Sequence, residues 1–418
     1  MRRLASRLVR PATLALLAGG ALWLWAAVTL WNATASVPDA PSLSPERFFS
    51  SSFLESSASF ERFLVIDGLL AIVTLVCVLV LYARRGHHLM RESAAGRIGT
   101  GMLLGMLGFG VVWLAELPFG LAAVWWGRRH GVSHQGYVEW IVNSFLGLGS
   151  TFLFIALALA IAMGLAGPLR RWWWVAATPL FVGLALLFAF VSPYLAPDTS
   201  PLRERGLIAD ARALERSEGV EGTRFRVEDV DRYTTAPNAE ARGFGPTRTV
   251  ILWNTLLGKD FKHSEIRAVL AHEVAHLAHD DPLKSVGWMA LFLIPAAALI
   301  ELLTRSRGGL ARPEAVPVAL LVLVVLQLLV TPFFNTVSRR VEASADWSAL
   351  EATHEPAAAR AAFRRLSTTS KSSPDPPAWT PILYGSHPTI MQRIGRPTPG
   401  NGSGSAEPRR RSPAPGRC

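Results

Sequence analysis

Cysteine and charge are what this sequence has least of. Only two cysteines occur, Cys77 inside an apolar run and Cys418 at the last position. That excludes a disulfide framework and a cysteine-based metal site. Cys418 does not sit fourth from the end, where a prenyl acceptor must be. Charged residues make up 17% of the chain against 50% hydrophobic, with a mean hydropathy of +0.29, which is not the composition of a soluble domain. No internal repeat is visible. The charge that exists is basic, a net +11. Its arginines flank hydrophobic runs instead of forming a stripe interleaved with aromatics. That pattern suits phospholipid headgroups and argues against nucleic acid.

What the sequence has in quantity is long apolar runs. Seven lie near residues 12–31, 63–83, 99–126, 141–167, 172–194, 286–304 and 315–334, each close to the roughly 20 residues needed to cross a bilayer. Trp125 and Trp126 close the third run and Trp172, Trp173 and Trp174 open the fifth, as indole rings do at membrane interfaces. Arg2, Arg3, Arg7 and Arg10 precede the first run, and Ala33-Thr34-Ala35 resembles a signal-peptidase site. The run exceeds the usual 7–15 residues of a signal peptide, so we expect an uncleaved first span. The short loops divide into a basic set, with Arg84, Arg85, Arg91, Arg97, Arg170, Arg171, Arg305, Arg307 and Arg312, and a set carrying Arg47, Arg62, Arg128 and Arg129. The basic set is expected to face the cytoplasm.

Between the fifth and sixth runs the sequence turns polar. "LIADARALERSEGV" (207–220) predicts an amphipathic helix, and "FRVEDV" (225–230) and "TVILWNTLL" (249–257) predict strands. "APNAEARGFGPTR" between them is turn-rich. "HSEIRAVLAHEVAHLAHDD" (263–281) predicts a helix with Ser264 as N-cap, stopped at Pro282. Helices are expected over 335–366, and a disordered basic tail over 395–418.

The chemistry lies in "AHEVAH". Residues four apart on a helix differ by about 40° around its axis, so His272 and His276 share one face. Two neutral imidazoles there can hold one Zn²⁺. Glu273 projects about 100° away, beside the metal, where a general base can take a proton from an activated water. The bland alternative is a solvated helix with surface histidines, which the apolar Val269, Leu270, Val274 and Leu277 argue against. A zinc hydrolase needs a third protein ligand. His279 is poorly placed for the same tetrahedron and reads as a surface or supporting residue. Glu342 and Asp346, also four apart, offer a ligand and an acceptor for a ligating histidine's Nδ1–H. A charged face pairing with Arg339 and Arg340 is the other reading, and spacing does not decide between them.

The order "AVLAHEVAH", two hydrophobic runs, "SRRVEASAD" and "SHPTIMQRI" resembles the membrane zinc metallopeptidases of the type I CAAX prenyl endopeptidase and HtpX kind. "ELPFGLAAVWWGRRHGVSHQ" (116–135) is similar to part of the CAAX-protease N-terminal domain. "PNAEARGFGPTRTVILWNTLL" (237–257) is similar to a further segment of that family. The resemblance spans about 10–394 and implies a mainly α membrane protein of about seven transmembrane helices with a small α+β zincin-like catalytic portion. It implies a five-span membrane domain over 1–194 and a metallopeptidase domain over 195–394 with two further spans. It implies one Zn²⁺ per chain on His272, His276 and Glu342 (a gluzincin-like set), Glu273 as base, Asp346 behind a ligand, His387 at the oxyanion, and Asn238 and Arg393 at the substrate. The strand at 249–255 would pair with an extended peptide. Asn254 and Glu240 depart from the family pattern and put sequence preference in question. Asp67 and Glu116, within or near hydrophobic runs, would be solvated by an internal chamber or bonded between helices.

The expected function is peptide hydrolysis on a protein substrate at the bilayer, by an integral membrane enzyme. A non-catalytic zinc-binding scaffold, an HtpX-like quality-control protease and a transporter are the rivals. Glu273 argues against the first, and the absence of paired broken helices against the last. Loop charges place the catalytic face outside, whereas resemblance to eukaryotic CAAX proteases places it toward the cytosol. The loop argument is preferred here.

Overall fold

The computed structural model describes residues 11–88, 93, 95–196 and 199–397. The arginines of residues 1–10, Arg91 and the expected tail from 398 onward lie outside that range. Helices α1 (Pro11–Asn32), α2 (Ser51–Arg85), α3 (Gly96–Arg129), α4 (Tyr137–Leu169) and α5 (Trp173–Val191) come first. A mixed segment follows, with β1 (Thr199–Pro201), α6 (Arg205–Glu218), β2 (Arg224–Glu228), β3 (Ala239–Arg242), β4 (Thr249–Trp253) and α7 (His263–Ala278). The chain then forms α8 (Asp281–Thr304), α9 (Val316–Thr353), α10 (Pro356–Ser370), α11 (Thr380–Leu383) and α12 (Ile390–Ile394).

Five helical stretches among the described residues are long and apolar enough to cross a membrane: Ser51–Arg85, Gly96–Arg129, Tyr137–Tyr194, Asp281–Arg307 and Pro313–Thr353. The expected count of seven is therefore not reproduced. The third stretch holds two helices, α4 and α5, which turn at Arg170–Trp172 and pack on each other. Helix α1 covers the first expected run and packs on α8, where Trp23 Nε1 donates to the Leu291 carbonyl at 2.7 Å. The spans show large apolar side chains outward, among them Leu70, Val73, Leu146 and Leu153. They pack inward on small residues: a Cβ on Gly101, Gly105 or Gly108 of α3 would strike Met163, Leu159 or Tyr82. Such small faces let helices approach closely in lipid. Asp67 and Glu116 are both partly exposed. Neither side chain makes a hydrogen bond or ion pair among the described residues, so of the two readings the one of bonding between helices is not seen.

The four strands form one sheet in the order β1-β2-β4-β3. β2 and β4 run parallel, Phe225 opposite Val250, and β3 is antiparallel to β4, Glu240 opposite Ile251. β3 lies within the segment expected to be turn-rich, where no strand is expected. Its four residues around Glu240 are too short to show a period. The return from β3 to β4 needs Gly243 at φ 78°, where a Cβ would sit 2.5 Å from the Thr247 carbonyl oxygen. Val250, Leu252 and Leu256 from the sheet side pack with Leu207 and Leu214 of α6 and Leu270, Val274 and Leu277 of α7. Helix α7 begins at His263 as expected, but its cap is Lys262 and not Ser264; the Lys262 N–H donates to Glu265 Oε2 at 3.2 Å.

This small α+β layer sits on one end of the helices. Thr235 N–H donates to the Val132 carbonyl after α3, and Phe190 near the end of α5 packs edge-on to Phe244. Ser373 N–H donates to Glu61 of α2. The opposite end gathers the turns at 86–88, 170–172, 305–307 and 313–315.

Candidate metal centre and active site

Helix α7 is buried on most sides, so its polar residues must be accommodated inside. His272 and Glu273 are each 6% exposed. The C-terminal half of α9 crosses α7 and brings Glu342 and Asp346, both buried, to the same point. His272 Nε2 lies 3.1 Å from His276 Nε2 and 3.1 Å from Glu342 Oε2, and His276 Nε2 lies 3.6 Å from Glu342 Oε1. Ligands about 2.0–2.1 Å from a tetrahedral ion stand about 3.3 Å apart. The three donor atoms therefore fit the corners of one metal's coordination shell.

Carboxylates back both imidazoles. Asp346 Oδ1 lies 2.9 Å from His272 Nδ1, off the line of a full hydrogen bond. Asp281 Oδ2 lies 2.9 Å from His276 Nδ1. Burial works against charging His272, and contacts with Asp346 and Glu342 outweigh it, so its pKa is raised. Burial opposes charging His276 too, and Asp281 and Glu342 hold its pKa well above the usual imidazole value. The acids thus stabilise positive charge at this point, and a dication would satisfy them in place of protons. Glu273 shares the groove, and burial raises its pKa against the opposing pull of His272 and His276. A carboxyl shifted up in this way is a better proton acceptor than a surface glutamate.

Asp281 was not singled out in the sequence. Asp280 adopts a left-handed conformation, φ 54°, which breaks α7 from α8 and folds Asp281 back onto His276. The clue was the acidic pair after the motif, but the contact depends on the turn. Lys284 Nζ completes this corner, 3.5 Å from Asp281 Oδ1 and donating to the Ala33 carbonyl at 3.0 Å. His279 stays outside the donor cluster, 3.2 Å from Ser348 Oγ.

His387 Nε2 lies 3.3 Å from Glu342 Oε2. Ser386 Oγ is 2.9 Å from its Nδ1. If that hydroxyl donates, Nε2 carries the proton and points at the donor cluster. Arg393 binds Asp346 through two bonds, Nε to Oδ2 at 3.0 Å and Nη2 to Oδ1 at 2.6 Å, and its guanidinium lies 4.1 Å from the Phe363 ring centroid. Arg393, Asn238, His272 and Glu273 line a small pocket of about 70 Å³. A wider groove of about 600 Å³ runs past Asn238–Ala241, Glu273, Glu342 and His387. The charged face expected as the alternative for Glu342 does not form: Arg339 donates to the Pro381 and Gly385 carbonyls, and Arg340 to the Thr34 carbonyl.

Two expectations about the substrate strand are corrected. β4 has neighbours on both sides, so it cannot accept a peptide; of the two edge strands, β1 and β3, it is β3 that borders the groove. Asn254 turns away from the groove, accepting from the Val230 and Asp231 N–H groups at 3.0 and 3.1 Å and donating to Asp229. Glu240, the other departure, does line the groove and pairs with Arg242 at 2.6 Å.

Known proteins resemble this chain in sequence and in fold. Residues 201–396 match the profile of Peptidase family M48. The chain is a membrane metallopeptidase. It is 28% identical over 295 residues to the uncharacterized metalloprotease YhfN of Bacillus subtilis, covering 67% of this chain and 69% of that protein. It is 24% identical over 347 residues to a CAAX prenyl protease 1 homolog of Oryza sativa subsp. japonica, covering 78% and 81%. An HtpX protease homolog of Acidiphilium cryptum is 28% identical over 212 residues, 46% of this chain and 72% of that one. The crystal structure of S. mikatae Ste24p superposes with a TM-score of 0.67 at 17% identity, over 90% of this chain and 96% of that one. At that identity the match concerns the fold.

Proposed function

We propose that this membrane metallopeptidase is a zinc endopeptidase whose ion is held by His272, His276 and Glu342. The observation that carries the reading is the convergence of these three donor atoms, 3.1–3.6 Å apart, beside the buried Glu273. When bound, zinc supplies a Lewis acid that acidifies a water and polarises the scissile carbonyl. Glu273 takes the proton of the attacking water and delivers it to the leaving amine. His387 donates from Nε2 to the carbonyl oxygen as it becomes anionic. Asp346 and Asp281 fix the imidazole orientations. Arg393 is committed to Asp346, so it acts on the substrate's surroundings through that carboxylate. An extended substrate adds to β3 along the groove, with Asn238 at its end holding the peptide main chain.

The chain divides, in this proposal, into a membrane domain over 1–194, a metallopeptidase domain over 195–394 and a basic tail over 395–418. Seven helices cross the bilayer, counting α1 and taking α4 and α5 separately. The basic turns then share the cytoplasmic side and the α+β layer faces out. Reporter fusions after Ala196 and after Arg396 test that orientation: alkaline phosphatase activity at both supports it, and fluorescence of a cytoplasm-only reporter at both sinks it. The function is tested by zinc content and peptide cleavage of the detergent-purified full chain. About one zinc per chain with chelator-sensitive, zinc-restored cleavage is expected. An intact, zinc-loaded protein that cleaves no member of a broad peptide library would instead make it a scaffold.

A further inference from the structure

At the end of the molecule away from the metal centre lies a cleft of about 400 Å³, lined by Arg170, Arg171, Arg305, Gly308, Gly309 and Glu301, among others. Nothing in peptide hydrolysis uses it. We propose that this cleft binds the headgroup phosphate of an anionic glycerophospholipid in the leaflet at that end.

Several features of the cleft support a phosphate site. Arg170 sits at φ 49°, ψ −124°, a conformation that costs energy for a residue with a side chain and recurs where function demands it. Its guanidinium makes no hydrogen bond or ion pair among the described residues, while its backbone N–H donates to the Ala166 carbonyl. Arg171 is exposed and stacks near Trp172, 5.5 Å from the ring centroid. On the facing wall, Gly309 at φ 67° presents backbone without a side chain, and the place of its missing Cβ lies 3.7 Å from Glu301 Oε2, above the cleft floor; at Gly308 the corresponding place is taken by the Arg312 side chain. Glu301 forms the floor. It is 6% exposed and already occupied, accepting from Trp173 Nε1 at 2.8 Å and from Arg305 Nε at 3.3 Å. Three guanidinium groups against one carboxylate leave the cleft with a net charge of +2.

The apolar surroundings favour a lipid over a free anion. Leu169 and Trp172 beside Arg170 and Arg171 are 38% and 57% exposed, and Leu302 and Leu303 beside Glu301 are 52% and 50% exposed. The helices that frame the cleft thus carry apolar side chains outward directly next to its cations, as a ligand with a charged head and acyl tails requires. A zwitterionic headgroup would bring an ammonium toward three arginines, so an anionic lipid is the better match.

The test uses the full chain in detergent, with bound lipid measured by native mass spectrometry at about 0.1 M salt. Phosphatidylglycerol, phosphatidylethanolamine, phosphatidylcholine and inorganic phosphate are the probes. Phosphatidylglycerol is expected to bind at least tenfold tighter than phosphatidylcholine, since each arginine near a headgroup contributes about fivefold. Combined Arg170→Gln, Arg171→Gln and Arg305→Gln substitution should abolish that preference while peptidase activity in detergent persists. Arg129→Gln, at the other end, should leave it intact. If the triple variant does not fold, Arg305→Gln alone should lower the preference about fivefold. Equal binding of the lipids, preference for phosphatidylethanolamine, a preference unchanged in the arginine variants, or displacement by millimolar inorganic phosphate would each overturn the proposal.

Discussion

The two ends of this molecule handle charge in opposite ways. Around the metal centre the nearby cations have carboxylate partners. Arg393 is bonded twice to Asp346, Lys284 approaches Asp281, and both imidazoles touch acids. At the far end the Arg170 guanidinium has no partner among the described residues, and Arg305 shares one buried glutamate with Trp173. Buried charges are costly unless paired, so the first arrangement is fixed in advance and leaves room for one external cation. Exposed arginines cost little, so the second can remain open to an external anion. In the proposed reading, the contrast separates a site that holds a reactive geometry from one that exchanges its occupant.

If the metal end is as preorganised as its pairing suggests, its residues should fail in distinct ways. The largest effect is expected from the donor set: His272→Ala, His276→Ala and Glu342→Ala should lose both zinc, measured by elemental analysis, and cleavage. Normal zinc content in Glu342→Ala would pass its role to another side chain. Glu273→Gln should keep zinc near one per chain while kcat falls by about 10²–10⁴; a variant retaining most of its activity would remove Glu273 from the chemistry. His387→Ala should also keep its metal and lose about 10²–10³ in kcat, and an unchanged kcat would reduce "SHPT" to a structural turn. Asp346→Asn and Asp281→Asn should each weaken zinc affinity or activity by about 10–100-fold, read by competition with a chromogenic chelator. If only Asp346 matters, the two imidazoles are not supported alike. The smallest effect should come from Asn254→Ala, which strands two backbone N–H groups: a loss of about 1 kcal/mol, seen as a lower Tm with kcat/KM unchanged.

How much of this was legible beforehand follows from the range over which each signal acts. Helical period alone puts His272 and His276 on one face of α7, and Glu342 and Asp346 on one face of α9. The long apolar runs likewise announce most of the membrane helices. Other features depend on contacts that no local pattern encodes. Asp281 reaches His276 only because Asp280 takes a left-handed conformation. Arg393 meets Asp346 across 47 positions of sequence. β3 has four residues, two of them the charged Glu240 and Arg242, and only its neighbour β4 makes it a strand. The N-cap at Lys262 carries no side-chain signature, so Ser264 was the natural but mistaken choice. The apolar runs separate α4 from α5, and among the described residues the two lie in one of five stretches long and apolar enough to cross a membrane.

Helix α9 imposes a mechanical condition on the enzyme. It is assigned as one helix from Val316 to Thr353, with Pro332 inside it, so the helical screw sets both the height and the heading of Glu342. At about 1.5 Å per residue, Glu342 stands roughly 39 Å along the axis from Val316, beyond the roughly 30 Å of hydrocarbon. One residue inserted anywhere between them would raise the carboxylate by about 1.5 Å and swing it about 100° away from His272. Only insertions near a whole turn would restore its heading, and these would lift it by about 5.4 Å. The length of this segment is therefore as much a part of the proposed active site as the glutamate it carries.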